Sequence, residues 1–372
     1  MRFADYRKRM EKAAVAWISG RKLLTSQVPY ILGEHAQWPQ NLLEPDLVRM
    51  IEAERALRAS RGEGFPLHKY LHHGLSSQAM LFNLVLPLQR DGDIDALKGG
   101  FEVAGIPWPG PGATARLEVE DREMFHENSG QPTSFDLEIS GPEGPSLYIE
   151  AKLVEQEFGG CSLLEGGDCD GETPATDHAK CPLVGMGRRY WERLDALGFD
   201  LSAGPICPFG SYYQFYREVA YALTRGGHYV LLVHDQNPAF WKEDGSRGLW
   251  PFLLKSVPAQ HRSRLHRLSL QQLAEALRQT GRHPWIDEFS TRYALSSTPL
   301  TGQVPEATLA QLPGATTAAI RRLWEEVRQG GQEGRNAQGR ISKLLAKEGI
   351  RKGDPRWEEV IGFGRELYFR RA

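Results

Sequence analysis

The sequence predicts an α/β protein that ends in a smaller helical module. Three observations predict it. Apolar residues recur at helical spacing up to about residue 86, alternation of period two takes over between Ala115 and Val154, and helical spacing returns from about Ser211 around one β-rich run, His228 to His234. The chain of 372 residues is long enough for two or three folded units at about 150 residues each. With 41% hydrophobic, 25% charged and 10% aromatic residues, it falls outside the disordered, collagen-like and disulfide-dense classes.

Residues 1–60 form a helical N-terminal extension, typified by Asp46 to Leu57 with its apolar positions at helical spacing. Ser76 and Ser77 offer an N-cap for a buried helix that runs from Gln78 to Leu86 and is expected to stop at Pro87. A Gly/Pro-rich break, 99–112, leads into three antiparallel strands: Ala115 to Glu120, Phe135 to Ile139 and Leu147 to Val154. A helix from Ser211 to Leu223, the strand from His228 and a helix near Leu270 to Leu277 complete a core spanning 61–295. Residues 296–318 carry one charge, Glu306, among Ser, Thr, Pro, Gly and Ala, and read as a linker. Residues 319–372 form the tail module, where Ile320, Leu323, Trp324 and Val327 share a helix face and Asp354-Pro355 starts another helix.

The longest apolar stretches, Leu84 to Leu88 and Tyr229 to Val233, fall far short of the ~20 residues of a membrane helix. The charged N-terminus does not resemble a secretory signal, so a cytoplasmic location and no membrane partner are expected. A net charge of −2, from 45 basic and 47 acidic residues, excludes a uniformly polycationic nucleic-acid binder. The basic excess lies in the tail, with 13 Lys and Arg against 9 Asp and Glu from Ser296 onward.

The stretch from Thr133 to Lys152 is the most informative. Two alternating strands flank a Gly/Pro loop, so it forms a hairpin. If the loop is symmetric about Glu143, Asp136 stands opposite Glu150 and Ser134 opposite Lys152. Opposed residues share a face with Cβ atoms about 5 Å apart, and Lys152, two positions beyond Glu150, shares it too. The apolar members of both strands are then expected on one face, with Asp136, Glu138, Tyr148, Glu150 and Lys152 on the other. Two carboxylates at that separation repel, and one takes up a proton, unless a divalent cation sits between them. Oxygen ligands favour Mg²⁺ or Mn²⁺ over zinc, and a nearby lysine balances charge on a phosphorane or helps orient a water. A plain amphipathic hairpin carries the same pattern.

Asp136, the hairpin and Glu150-Ala151-Lys152 together resemble the PD-(D/E)XK nuclease superfamily. The resemblance covers roughly Ser76 to Ala239 and implies a restriction-endonuclease-like core, a mixed central sheet flanked by helices. It implies a Mg-dependent deoxyribonuclease with DNA as its partner, in which Asp136 and Glu150 are metal ligands and Lys152 is the catalytic lysine. In that family the helix ahead of the hairpin often supplies an acidic residue; here Gln78 stands there, and Phe135 replaces the signature proline. Glu118 or Glu120 is a substitute ligand.

Tyr213, Gln214 and Arg217, with Tyr212, offer rings, an amide and a guanidinium for phosphates or base edges, Gln214 and Arg217 sharing a helix face. The competing reading places the tyrosines in the core. Arg262 and Arg264, in His261 to Arg267, form a basic cluster that could track a phosphate backbone, as do the tail's basic residues between Arg335 and Arg356, where a helix-turn-helix-like module is one reading. The four cysteines, Cys161, Cys169, Cys181 and Cys207, fall in one insertion, 159–207, with 7, 11 and 25 intervening residues. In a cytoplasmic chain this clustering points to a metal centre rather than disulfides. Zinc, with His178 as a spare ligand, and no metal both remain open; the resemblance to an iron-sulfur branch of the same superfamily adds a 4Fe-4S cluster. The competing function is a non-catalytic nucleic-acid-binding or structural protein with a four-cysteine metal centre. A homo-oligomer is left open.

Overall fold

A five-stranded sheet runs through the first part of the chain in the order β1 (Thr114–Asp121), β2 (Thr133–Ser140), β3 (Leu147–Lys152), β4 (His228–Val233) and β5 (Leu265–Ser269). The computed structural model describes residues 2–172, 177–201, 207–241, 249–295, 305–329, 332–351 and 354–369. The chain divides into two units, Met1–Leu295 and Ser296–Ala372.

β1, β2 and β3 form the expected antiparallel meander, whereas β3, β4 and β5 run parallel. Parallel strands have both faces covered, which explains the unbroken apolar run of β4 and the full burial of β3. On one face lie helices α1 (Phe3–Gly20), α2 (Pro45–Ser60) and α3 (Ser77–Arg90), packed on Leu137, Ile149, Val230 and Leu232. On the other lies α4 (Phe209–Thr224), whose Phe215 and Val219 share an aromatic-rich core with Tyr148, Tyr229, Leu231 and Val233. A helix α5 (Leu270–Thr280) follows β5, opened by a capping box of Ser269 and Gln272 and closed by Gly281 at φ 65°. The result is a restriction-endonuclease-like α/β architecture.

Several expectations are corrected. The N-terminal helices share the core of the sheet instead of standing apart: Tyr6, Met10, Ala14 and Ile18 are buried in it, and the Tyr6 hydroxyl donates to the carbonyl of Leu153, one residue past Lys152. α3 continues through Pro87 to Arg90, because residues 78–88 are buried on all sides and tertiary packing outweighs the lost backbone donor. The basic run at His261 to Arg267 conceals β5, an edge strand whose Leu265 and Leu268 face the two cores. In the second unit, a helical turn, Glu306–Leu309, and α6 (Gly314–Gln329) occupy part of the expected linker. α6 packs with α7 (Gln332–Lys347) and α8 (Pro355–Phe369) around Trp324, Ile341, Leu345 and Val360. Among the described residues no helix is long and apolar enough to cross a membrane.

Candidate active site

The hairpin register agrees with symmetry about Glu143: Leu137 pairs with Ile149, Glu138 with Tyr148 and Ile139 with Leu147. Carried one step past the last pair, the same symmetry brings Asp136 toward Glu150. On its other side, Leu117 pairs with Leu137 and Val119 with Phe135, so Glu118 stands opposite Asp136. Three carboxylates therefore lie side by side across three strands.

The strands are irregular here. Phe135 turns into the α4-side core, 5.1 Å from the Tyr148 ring, while Leu137 and Ile139 point into the opposite core. Glu118 has φ +50°, a left-handed conformation that a glutamate seldom adopts. The apolar members of the two strands thus divide between two cores, against expectation. The β2–β3 ladder ends at Leu137, so the expected pairing of Ser134 with Lys152 does not form, while on its β1 side Ser134 pairs with Glu120. In place of a backbone bond, Asp136 Oδ2 accepts the Ala151 amide at 2.8 Å.

Glu150 and Lys152 both face α4. Lys152 Nζ lies 2.8 Å from Glu150 Oε1 and donates to Gln214 Oε1 at 2.9 Å, while Gln214 Nε2 donates to Glu150 Oε1 at 2.7 Å. The three side chains close a ring of polar contacts. Glu150 and Lys152 are buried, at 4% and 8% exposure, whereas Asp136 and Gln214 keep partial access to solvent. The opening of the site is therefore on their side.

Burial pushes the Asp136 carboxyl well above its usual range, with Glu150 and Glu118 adding to the effect. Burial likewise pushes Glu118 up to about 8; the Gln78 amide pulls it down and Glu150 raises it further. Glu218, on α4, is raised by burial and by Glu150. Burial works against the Lys152 ammonium, but Glu150, Glu155 and Glu218 prevail and hold its pKa above the ordinary lysine value. Lys152 is thus a fixed cation at neutral pH. Asp136, Glu118 and Glu218 are pushed toward the protonated form, a crowding that a bound cation would relieve. Glu118 Oε1 and Glu218 Oε1 are buried without a hydrogen-bond partner, a state that a bound cation or a proton relieves. Among the described residues no group of three or more His, Cys, Asp or Glu side chains is arranged to hold a metal ion. An ion between Asp136 and Glu150 would complete its shell with water and substrate oxygens, the habit of magnesium.

Gln78, on α3, accepts the His68 amide and donates to the Pro66 carbonyl, at 2.8 and 2.9 Å, beside Glu118. Glu218 was missed by the sequence reading. Its signal was its position four residues after Gln214, which places both on the sheet-facing side of α4. Tyr213 and Arg217 are engaged inside the protein: Arg217 lies 4.9 Å over the Tyr213 ring and 3.5 Å from buried Glu127. Arg262 donates to the Val257 and Lys255 carbonyls, and Arg264 to the Leu223 and Gly227 carbonyls at the end of α4. These guanidiniums cap backbone, which explains a basic cluster without a phosphate.

The four cysteines, free of disulfides, come together. Cys161, Cys169, Cys181 and Cys207 line one cavity of about 10 Å³, although the sulfurs are not closed on a common ion position. Burial, with the neighbouring cysteines adding to it, pushes the Cys207 thiol up to about 11. His178 stacks 3.7 Å from Trp191 and is not among the cavity's lining residues.

A mixed sheet carrying paired carboxylates and a lysine at its centre, with helices on both faces, defines a protein of the restriction-endonuclease-like class. Residues 11–294 match the family described as restriction endonuclease associating with ARP, and the chain belongs to that family. No curated protein and no solved structure matches the chain.

Proposed function

We propose that this protein is a metal-dependent endonuclease that hydrolyses DNA phosphodiester bonds, with Asp136 and Glu150 as ligands of Mg²⁺ or Mn²⁺. The observation that carries the reading is the ring of Glu150, Lys152 and Gln214 beside Asp136, where acidic groups outnumber the single ammonium. A divalent cation, when bound, neutralises phosphate charge and acidifies a water. The chain's own groups do the remaining work. Glu150 and Gln214 fix the Lys152 ammonium in one position, so it can hydrogen-bond a phosphate oxygen and stabilise the charge that grows there. Because Lys152 stays protonated, it orients the attacking water or the phosphate and does not act as a free base. Gln214, reaching the pair from another element, sets the distance between them.

Membership of a restriction-endonuclease family supports DNA as the substrate. The test is cleavage of linear and supercoiled DNA by the full chain with Mg²⁺, with EDTA as control. Lys152→Ala and Asp136→Asn are expected to lower the rate by about 10²-fold or more while the circular dichroism stays unchanged. Cleavage by Lys152→Ala at the wild-type rate would overturn this reading.

A further inference from the structure

The catalytic ring is tied to the cysteine cavity by a short path. β3 ends at Lys152, and the segment that follows brings Cys161 to the start of α4, where its amide donates to the Phe209 carbonyl at 2.9 Å. Cys207, two residues ahead of α4, donates its amide to the Gly171 carbonyl at 2.7 Å, and the Gly171 amide donates to Cys169 Sγ at 3.4 Å. The Gln214 backbone amide donates to the Gly159 carbonyl at 3.1 Å. Gly160 and Gly210 approach so closely that a Cβ on Gly160 would lie 2.2 Å from the Gly210 carbonyl oxygen. The cysteine-bearing loops therefore hold the end of the helix that delivers Gln214 to Glu150 and Lys152.

The cavity has room for about one water-sized sphere, yet besides the sulfurs it is lined by Leu163, Leu164, Leu183, Pro182 and Phe209. A water there would lack the two to four polar partners it needs. Four cysteines from four positions along the chain line it instead, and four thiolates are the donor set of a thiophilic metal.

We propose that Cys161, Cys169, Cys181 and Cys207 bind a four-thiolate metal centre, and that this centre positions Gln214 in the catalytic ring. The shared chemistry is metal–thiolate ligation; the size of the cavity suits a single zinc ion, and an iron-sulfur cluster, which needs more room, is the other outcome that the test distinguishes. The second half of the proposal rests on the nuclease reading given above; the first does not.

The test uses the full chain purified without oxygen. Metal analysis, acid-labile sulfide and the absorption spectrum are expected to give about one zinc per chain, or iron with sulfide and a band near ~400 nm. Cys169→Ser, at the least buried of the four, and Cys181→Ser are expected to lose most of that metal. Lys152→Ala is expected to keep it, which separates failure of the centre from failure of the nuclease assignment. Wild-type protein that holds neither metal, takes up no added zinc, cannot be reconstituted with iron and sulfide, and whose four thiols all react freely with a thiol reagent would overturn the site. For the coupling, the readout is the Mg²⁺-induced rise in melting temperature, measured in wild-type protein and Cys169→Ser. A several-fold weaker Mg²⁺ response in the variant supports it, and an equal response overturns it.

Discussion

Glu118→Gln exchanges a buried carboxyl for an amide of nearly the same shape and removes one of the three carboxylates that lie side by side. In the metal-free protein the Glu118 pKa is raised from 4.5 to about 8 by burial and by Glu150. The folded state then binds more protons than the unfolded state between those values, so the contribution of this group to stability falls as pH rises. At about 1.4 kcal/mol per pH unit, the cost approaches 2 kcal/mol at pH 6 and about 4 kcal/mol at pH 7.5. Coupling to the neighbouring Asp136 carboxyl can halve those figures and still leave a measurable effect. In EDTA the variant is therefore expected to gain on wild type as pH rises from 5 to 7.5, by roughly 1.5 to 3 kcal/mol, or several degrees in melting temperature. Thermal and urea unfolding across that range provide the assay. Saturating Mg²⁺ is expected to reduce the gap, because the ion takes the place of the proton. Parallel pH profiles for the two proteins in EDTA would refute the reasoning, since they would mean that Glu118 does not carry the excess charge.

Three further outcomes follow from the same geometry. Gln214→Ala removes the amide that touches both Lys152 and Glu150, so cleavage is expected to slow by about 10- to 100-fold with little change in DNA affinity, measured by single-turnover rates and a binding assay. His234 is buried neutral, its pKa lowered to about 3 by burial and by Arg9. Here the unfolded state binds more protons, so between pH 6.5 and 3 stability is lost as pH falls, about 2 kcal/mol by pH 5; His234→Gln, which cannot titrate, is expected to escape that loss in acid unfolding experiments. Trp324→Ala removes a buried indole from the second unit's core and is expected to cost that unit about 3 to 5 kcal/mol, leaving the calorimetric transition of the first unit in place.

Much of the hairpin was legible because its information is local. Alternation marked β2 and β3, the Gly/Pro loop set their register, and that register, carried past its last pair, brings Asp136 toward Glu150. The pairing of Ser134 with Lys152 failed because Phe135 is drawn into the α4-side core by Tyr148 and Tyr221, and the ladder ends before reaching it. β5 was hidden because its histidine and arginine find partners inside the fold: His266 lies 2.8 Å from His228 of β4, and Arg267 donates to the Phe240 carbonyl at 2.7 Å. Gln214 was found as a polar residue on the right helix but assigned to nucleic acid, since the sequence does not state which strand that helix covers.

Periodicity, capping residues and the spacing of Asp136, Glu150 and Lys152 determined the α/β class and the grouping of charged side chains on the hairpin, because each depends on residues a few positions apart. Tertiary structure alone decided that Glu118 and Glu218 crowd the same site, that Gln214 joins Lys152 to Glu150, and that four cysteines spread over 47 positions line a single cavity. Those outcomes depend on how α4 crosses β3 and on where β1 and β2 part. Packing of two opposed hydrophobic cores sets both, and that packing is a property of the whole chain rather than of any segment in it.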